Sequence, residues 1–216
     1  MMRNGETERR RADANPSRLM TRRDFVGMAA LVAASSALAP LLTSCGDISS
    51  GGAVREITDM GGRSVMVPQQ IDRLFCTNPI GAVDLFALAP EKLAGWNFRP
   101  AGENKKYIPD EYFALPSLGV WMGAGSTPNA EEIAAQDPDV LLCYWTADEV
   151  GADMADEIRD QTGLPVVLVD YDVRSAPEMF RYVGDLIGCA ERGEELAAYC
   201  ERKIELIAAV ADAVPE

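Results

Sequence analysis

The fold class is decided by the stretch Asp139-Val140-Leu141-Leu142-Cys143-Tyr144, in which every side chain after the aspartate is apolar or aromatic. A strand with one solvated face alternates apolar and polar residues, whereas a strand buried on both faces does not, and two-sided burial is typical of parallel sheets. A helical pattern follows at about residues 148–161, and a second apolar run occupies residues 166–169. The order strand, helix, strand predicts an α/β fold with helices flanking a parallel sheet.

The same alternation extends toward the N-terminus. Residues 74–77 are predicted to form a strand, residues 80–88 a helix and residues 92–96 a further strand. A long connection rich in glycine, proline and tyrosine then occupies residues 97–125. We therefore expect four strands in the parallel sheet.

A helix is predicted to begin at Thr127 and Pro128. Threonine is a common N-cap residue and proline is favoured at the first helical position. Glu131 and Glu132 would lie in the first turn, where negative charge complements the helix dipole.

Two segments lie outside this alternation. Residues 55–58 and 64–67 flank a glycine pair and predict a β-hairpin. Near the C-terminus, apolar residues recur at helical spacing from Leu196 to Val214. If residues 191–214 form one helix, it is ~36 Å long, which is more than a crossover in a small sheet requires.

The N-terminus has the layout of an export signal, with an arginine-rich stretch up to Arg23 and an apolar run at residues 25–42. The adjacent Arg22 and Arg23 before Phe25 resemble the signal of the twin-arginine pathway, although they could also be the positive flank of an ordinary secretory signal. Residues 1–44 are thus predicted to be removed on export.

The end of the apolar run, Leu42-Thr43-Ser44-Cys45, resembles the lipobox of bacterial lipoproteins. It predicts cleavage before Cys45, acylation of this cysteine, an extracytoplasmic location at the cell membrane and a flexible tether at residues 45–54. The alternative is a single transmembrane helix at residues 26–42, a length at the lower limit of ~17–25 residues for a span.

The composition excludes several classes of protein. After removal of residues 1–44 the chain keeps 13 of its 20 basic and 30 of its 34 acidic side chains, a formal charge of −17, which argues against a nucleic-acid partner. The absence of histidine removes the commonest zinc ligand and general base. Buried free thiols are the favoured state of the four remaining cysteines, although a pair between Cys76 and Cys143 stays open.

Taken together, these segments resemble the class III substrate-binding proteins, the iron-siderophore and cobalamin family of ABC importers. The resemblance lies in the order and spacing of the hairpin residues 57–68 with Arg73, Leu118–Trp121, Thr127–Ile133, Pro138–Leu141 and Thr162–Val167.

The resemblance implies two α/β lobes that face each other across a cleft and are joined by one long helix. Residues 55–189 would be the N-terminal lobe and residues 190–216 the interlobe helix. The second lobe is then absent, and we interpret the chain as truncated unless the other half is encoded separately.

In an open parallel sheet the ligand binds beyond the carboxyl ends of the strands. The residues predicted to lie there, or on the long loop between strands, are Asn78, Trp96, Asn97, Trp121, Tyr144, Trp145, Asp170 and Tyr171. Their aromatic rings suit a large apolar ligand, although each could instead seal the top of the core. Arg99, Lys105 and Lys106 could pair with an anionic siderophore or could simply form a solvated loop.

The resemblance also implies the partners. Asn129-Ala130-Glu131 matches the segment whose glutamate docks onto arginines of the ABC permease, so Glu131 is the predicted docking residue. The expected ligand is an iron complex (siderophore or haem) or a corrinoid, with no resident cofactor or metal and no catalysis. The alternatives are a non-transport lipoprotein and an enzyme on a doubly wound sheet, and the sequence lacks the usual nucleotide-binding and serine-nucleophile motifs of such enzymes.

Overall fold

The computed structural model describes residues 53–121 and 128–212. The elements in chain order are β1 (Val54–Thr58), β2 (Ser64–Pro68), β3 (Leu74–Cys76), α1 (Pro79–Leu88), α2 (Asp110–Phe113), α3 (Ala130–Ala134), β4 (Val140–Trp145), α4 (Glu149–Thr162), β5 (Val166–Asp170), α5 (Ala176–Leu186) and α6 (Ala190–Asp212). The predicted hairpin of β1 and β2 is confirmed, with Ile57 opposite Val65.

The core is a three-layer sandwich around a parallel sheet in the order β3-β4-β5. One face of the sheet, which includes Leu142 and Val167, packs on the apolar residues of α1, α5 and α6. The other face, which includes Leu141 and Leu168, packs on Ile133 of α3 and on α4. The predicted α/β fold, with a parallel sheet flanked by helices and a long C-terminal helix, is confirmed.

The prediction of a regular strand at residues 92–96 is wrong. A 3₁₀ turn at Pro90–Lys92 enters this segment, and Leu93 forms a single isolated bridge with Leu74 of β3. Trp96 then pairs with Ser117 of the returning connection, because its N–H donates to the Pro116 carbonyl (2.8 Å). The segment therefore leaves the sheet after one bridge, and the described sheet has three strands.

The predicted start of α3 also needs correction. Asn129 is the N-cap residue, and its Oδ1 accepts a hydrogen bond from the N–H of Glu131 (3.0 Å). Thr127 lies outside the described residues. Asparagine is as good a cap as threonine, so the helix begins at Ala130, and Glu131 and Glu132 remain in the first turn.

Helix α5 is absent from the sequence-based prediction. Its buried residues Met179, Phe180, Val183 and Leu186 follow helical spacing, so the signal was present in the sequence. The helix packs against α6, and the two backbones approach closely where Gly184 faces Gly193. A Cβ atom added to Gly193 would lie 2.5 Å from the carbonyl oxygen of Phe180.

The register of the sheet shows that Cys76 and Cys143 do not form a disulfide. Cys76 is paired with Leu142, one residue before Cys143, so the two thiols lie on opposite faces and both are free. Burial raises the pKa of the Cys76 thiol well above its ordinary value and that of Cys143 to about 11. Both cysteines thus behave as core residues.

The turn of the hairpin covers the free edge of β5. The fully buried carboxylate of Asp59 accepts hydrogen bonds from the N–H groups of Gly61 (3.1 Å) and Arg63 (2.8 Å) within the turn. Its other oxygen accepts from the N–H of Leu168 in β5 (3.1 Å) and from the Arg63 guanidinium (3.1 Å). The N–H of Met60 donates to the Leu168 carbonyl (3.2 Å), so turn and strand are paired in both directions.

None of the helices in the described ranges is long and apolar enough to cross a membrane. The export signal, Cys45 and the alternative transmembrane helix at residues 26–42 all lie outside these ranges.

Replacement of Asp59 by alanine is expected to lower the free energy of unfolding by about 3–5 kcal/mol, because it leaves the Leu168 N–H without a partner and removes a buried charge from beside Arg63. The control is Asp156→Ala, which removes the exposed carboxylate that also pairs with Arg63 (2.9 Å). This change should cost less than about 1 kcal/mol. Urea unfolding followed by circular dichroism measures both values, and equal losses would contradict the assigned role of Asp59.

Candidate functional site

The candidate site is the carboxyl edge of the sheet, where β3, β4 and β5 end side by side. Asn78 follows β3, Trp145 ends β4, and Asp170 and Tyr171 end β5 and begin the loop after it. Open parallel sheets bind ligands at this edge because the loops and the N-termini of the following helices converge there.

The side chain of Asn78 links the strand ends and the start of α1 at this edge. Its Oδ1 accepts a hydrogen bond from the N–H of Gly81 (3.0 Å) and caps α1. Its Nδ2 donates to the Tyr144 carbonyl (2.8 Å), which ties the ends of β3 and β4 together. Both ends of the side chain therefore form hydrogen bonds within the described fold.

Three of the predicted ligand residues are buried. Tyr144 is 1 % exposed, and its hydroxyl contacts the sulfur of Met179 at 3.5 Å. Trp96 donates its indole N–H to the Tyr112 carbonyl (2.8 Å). Asn97 donates its Nδ2 to the carbonyls of Cys76 and Gly119, both at 2.9 Å. These side chains support the edge from within the core and do not form its surface.

The surface of the edge is aromatic. The rings of Trp145 and Tyr171 stack with centroids 5.9 Å apart and planes inclined by 27°. Trp121 lies against Phe75 with a centroid distance of 6.4 Å, and its indole N–H donates to Gln161 Oε1 (3.1 Å). Trp145 is partly exposed and Tyr171 is exposed, so a ligand at this edge would meet their rings. Trp121 is partly exposed as well, but its indole is directed toward the last turn of α4 and away from the edge.

A pocket of about 320 Å³, which we call the acidic pocket, lies between α1, the start of α5 and Cys200 of α6. Its carboxylates are Asp84, Asp170 and Asp172, and no basic side chain lines it. Burial raises the pKa of the Asp84 carboxyl to about 6. Asp84 lies within α1 and belongs to no motif, so no local pattern in the sequence marks it as a site residue.

A second pocket, of about 410 Å³, lies on the other side of α1, and we call it the arginine pocket. Its lining residues are Pro79, Ala82, Val83, Phe86, Trp96, Asn97, Phe98, Arg99, Pro100, Ala101, Asn104, Tyr107 and Ile108. Arg99 is the only charged residue among them. The other two predicted cations have partners elsewhere: Lys105 pairs with Asp110 (3.2 Å), and Lys106 lies over the Tyr107 ring (4.7 Å).

Glu131 lies far from these pockets in sequence and is exposed in the first turn of α3. Its backbone N–H is capped by Asn129, and its carboxylate forms no ion pair within residues 53–121 and 128–212. Within the same ranges there is no group of three or more cysteine and acidic side chains that could hold a metal ion.

Comparison with solved structures shows the same fold in several solute-binding proteins. An ABC transporter solute-binding protein from Sulfurospirillum deleyianum is 23% identical with a TM-score of 0.66, over 74% of this chain and 50% of that one. A molybdate-binding periplasmic protein from Haemophilus influenzae is 18% identical with a TM-score of 0.51, over 69% and 52% of the two chains. A siderophore-binding protein, bound to two acinetobactin molecules and ferric iron, is 15% identical with a TM-score of 0.54, over 76% and 56%.

The chain thus spans about half the length of the solved structures that it matches. No curated protein matches it. The family model described as periplasmic binding protein matches residues 85–215, which is more than half of the sequence and begins within α1. On this match and on the shared architecture of the sheet, its carboxyl edge and the long last helix, the chain belongs to the periplasmic binding protein family.

Proposed function

We propose that this chain is part of the lipid-anchored substrate-binding component of an ABC importer for an iron complex, such as a siderophore or haem, or for cobalamin. Residues 1–44 would be a twin-arginine-type lipoprotein signal and residues 45–54 the tether from the lipidated Cys45. Residues 55–189 would form the N-terminal substrate-binding lobe and residues 190–216 the interlobe helix. The protein would act outside the cytoplasm at the cell membrane.

The aromatic surface of the carboxyl edge is the observation that carries this proposal. Trp145 and Tyr171 present stacked rings at the place where an open parallel sheet binds its ligand, and Tyr171 and Asp170 also line the acidic pocket beside α1. Apolar walls with few polar groups are typical of small-molecule sites. Among the predicted ligand residues, we retain Trp145 and Asp170 as direct contacts, and Asn78, Trp96, Asn97, Trp121 and Tyr144 as residues that support the edge.

The second half of α6 supports a two-lobe protein. Leu206, Ile207 and Val210 are 57%, 66% and 56% exposed, although the first half of the same helix packs on α5. Side chains of this kind normally gain about 1.5–3 kcal/mol each from burial. A second lobe packed against this half would provide that burial, and this chain covers only 50%, 52% and 56% of three solved structures of the same fold.

The chemistry of the edge favours a bulky ligand over a small oxyanion. The proteins of the same fold include one that binds molybdate and one that binds a ferric siderophore. A small oxyanion requires several converging hydrogen-bond donors, whereas a large organic complex buries ring surface. The stacked pair of Trp145 and Tyr171 supplies ring surface, and the neighbouring Asp170 and Asp172 offer acceptors rather than donors.

Glu131 is the proposed contact with the permease. It is exposed, it lies outside both pockets, and its carboxylate is available to an arginine of a partner. Its neighbour Glu132 is equally exposed in the same helical turn, so the pair offers a matched comparison.

Glu131→Ala, introduced into the chromosomal gene, is expected to reduce uptake of the transported iron complex at least about tenfold, which corresponds to the loss of a charge-assisted contact. Glu132→Ala should leave uptake within about twofold of the wild type, because its loss removes only a solvated charge. Uptake of ⁵⁵Fe from a panel of ferric siderophores and haem, or of ⁵⁷Co-labelled cobalamin, measures the effect. Equal uptake by the two variants would reject Glu131 as the docking residue, and normal uptake after deletion of the gene would reject the transport function.

Cys45→Ser is expected to abolish lipid attachment, because only the thiol can form the thioether to diacylglycerol. Mass spectrometry of membrane and soluble fractions should find the wild-type chain beginning at an acylated Cys45 and the variant without acyl mass. Replacement of Ser44 by alanine is the control, because it keeps a small residue before the cleavage site. A variant that keeps its acyl chains would contradict the proposed anchor.

A further inference from the structure

We propose that the acidic pocket binds an organic ammonium group, that is, a primary amine in its cationic form carried on an apolar stem. This inference rests on the proposed function, in which such a group would be one arm of the transported complex. The charge of that arm would be positive, and Asp84 is the residue that would pair with it.

Asp84 is a half-buried carboxylate on α1 that lines the pocket and forms no ion pair within residues 53–121 and 128–212. Burial raises the pKa of its carboxyl to about 6, so its ionisation at neutral pH costs free energy. Burial also raises the pKa of the neighbouring Cys76 and Tyr144, and both are neutral. A cation beside the Asp84 carboxylate would offset the cost of its ionisation, whereas a neutral or anionic ligand would not.

No positive charge in the described part of the chain lines the pocket. Asp170 and Asp172 line it from the end of β5 and the loop after it, α5 contributes only apolar side chains, and α6 contributes the Cys200 thiol. Burial raises the pKa of this thiol, so it is neutral at pH 7.5. Arg181 of α5 is paired with two glutamates of α6. The pocket therefore attracts a cation that the described residues do not supply.

The walls of the pocket fit an organic cation rather than a metal ion. Ile80, Val173, Met179 and Phe180 supply apolar surface around a volume of about 320 Å³, which lies in the range of about 300–1,000 Å³ common for small-molecule sites. Tyr171 also lines the pocket, and an ammonium group within about 6 Å of such a ring is attracted to its π electrons. A metal ion needs several converging ligands, and the described residues contain no group of three or more cysteine and acidic side chains that could hold one.

Two matched pairs of variants separate this pocket from its surroundings. Asp84→Asn removes the charge of the proposed partner with little change in shape, and Asp185→Asn makes the same change at an exposed aspartate near the other end of α5. Ile80→Trp places a large side chain in the acidic pocket, and Val83→Trp does so in the arginine pocket. Ile80 and Val83 are 52% and 59% exposed, so neither replacement requires the core to move.

The probes are 4-phenylbutylamine, which is a cation at pH 7.5, and 4-phenylbutanol, which has the same stem without the charge. Ligand-observed NMR titrations with the full chain measure both dissociation constants. Wild type should bind the cation at least about tenfold more tightly than the alcohol, Asp84→Asn should lose this preference, and Asp185→Asn should keep it within about twofold. Ile80→Trp should weaken binding of both probes about tenfold because it fills the cavity, and Val83→Trp should change it less than about twofold.

A change of pH tests the same pairing without a mutation. The Asp84 carboxyl gains a proton as the pH falls through about 6, whereas the amine probe stays cationic. The preference of the wild type for the cation should therefore decrease from pH 7.5 to pH 5. In Asp84→Asn any remaining preference should stay constant over this range.

Circular dichroism and thermal unfolding establish that each variant keeps the native fold. Equal affinities of the wild type for the two probes, a preference that survives Asp84→Asn, or an equal loss in Asp185→Asn would each overturn the assignment of the acidic pocket. Equal losses in Ile80→Trp and Val83→Trp, or a preference that does not change with pH, would overturn it as well. None of these results alters the uptake test with Glu131, so failure of this inference and failure of the transport function are distinguishable.

Discussion

The structure depends on the buried carboxylate of Asp59. A three-stranded parallel sheet has two free edges, and unpaired N–H and C=O groups at such an edge would be buried without partners or would attract another strand. Asp59 and Met60 pair with Leu168 of β5 in both directions, which completes one edge with a turn instead of a fourth strand. The buried negative charge of Asp59 is stabilised because the Arg63 guanidinium and two backbone N–H groups of the turn surround the carboxylate.

The opposite edge of the sheet, at β3, is covered by residues 93–97 instead of a turn. Leu93 forms one bridge with β3, and Asn97 then bonds the Cys76 carbonyl with its side chain. Gly81 allows α1 to sit directly on the ring of Tyr144, because a Cβ atom there would lie 2.4 Å from the ring. The close contact places α1 between the two pockets and buries Tyr144 beneath them.

Much of the fold could be predicted because its signals are local. The uninterrupted apolar run of β4, the helical pattern at about residues 148–161 and the glycine pair of the hairpin each indicate one local structure. The candidate site was less predictable, since the exposure of a strand-end residue depends on what packs above it. Tyr144 and Trp145 are neighbours in sequence, yet one is covered by α1 and the other stacks on Tyr171 at the surface. Asp84 and the arginine pocket arise from contacts between distant segments, which no local pattern reports.

The central claim is that the carboxyl edge is a ligand-binding surface of a transport protein. The most direct measurement is a fluorescence titration of the full chain with ferric siderophores, haem and cobalamin, with Trp145→Phe as the variant and Met66→Ala as the control. We expect saturable quenching without chemical change of the ligand, with a weaker affinity in Trp145→Phe, whose ring is at the surface of the edge, and an unchanged affinity in Met66→Ala, whose exposed side chain lies on β2 of the hairpin. No quenching by any ligand, turnover of the ligand, or equal affinities of the two variants would contradict the claim.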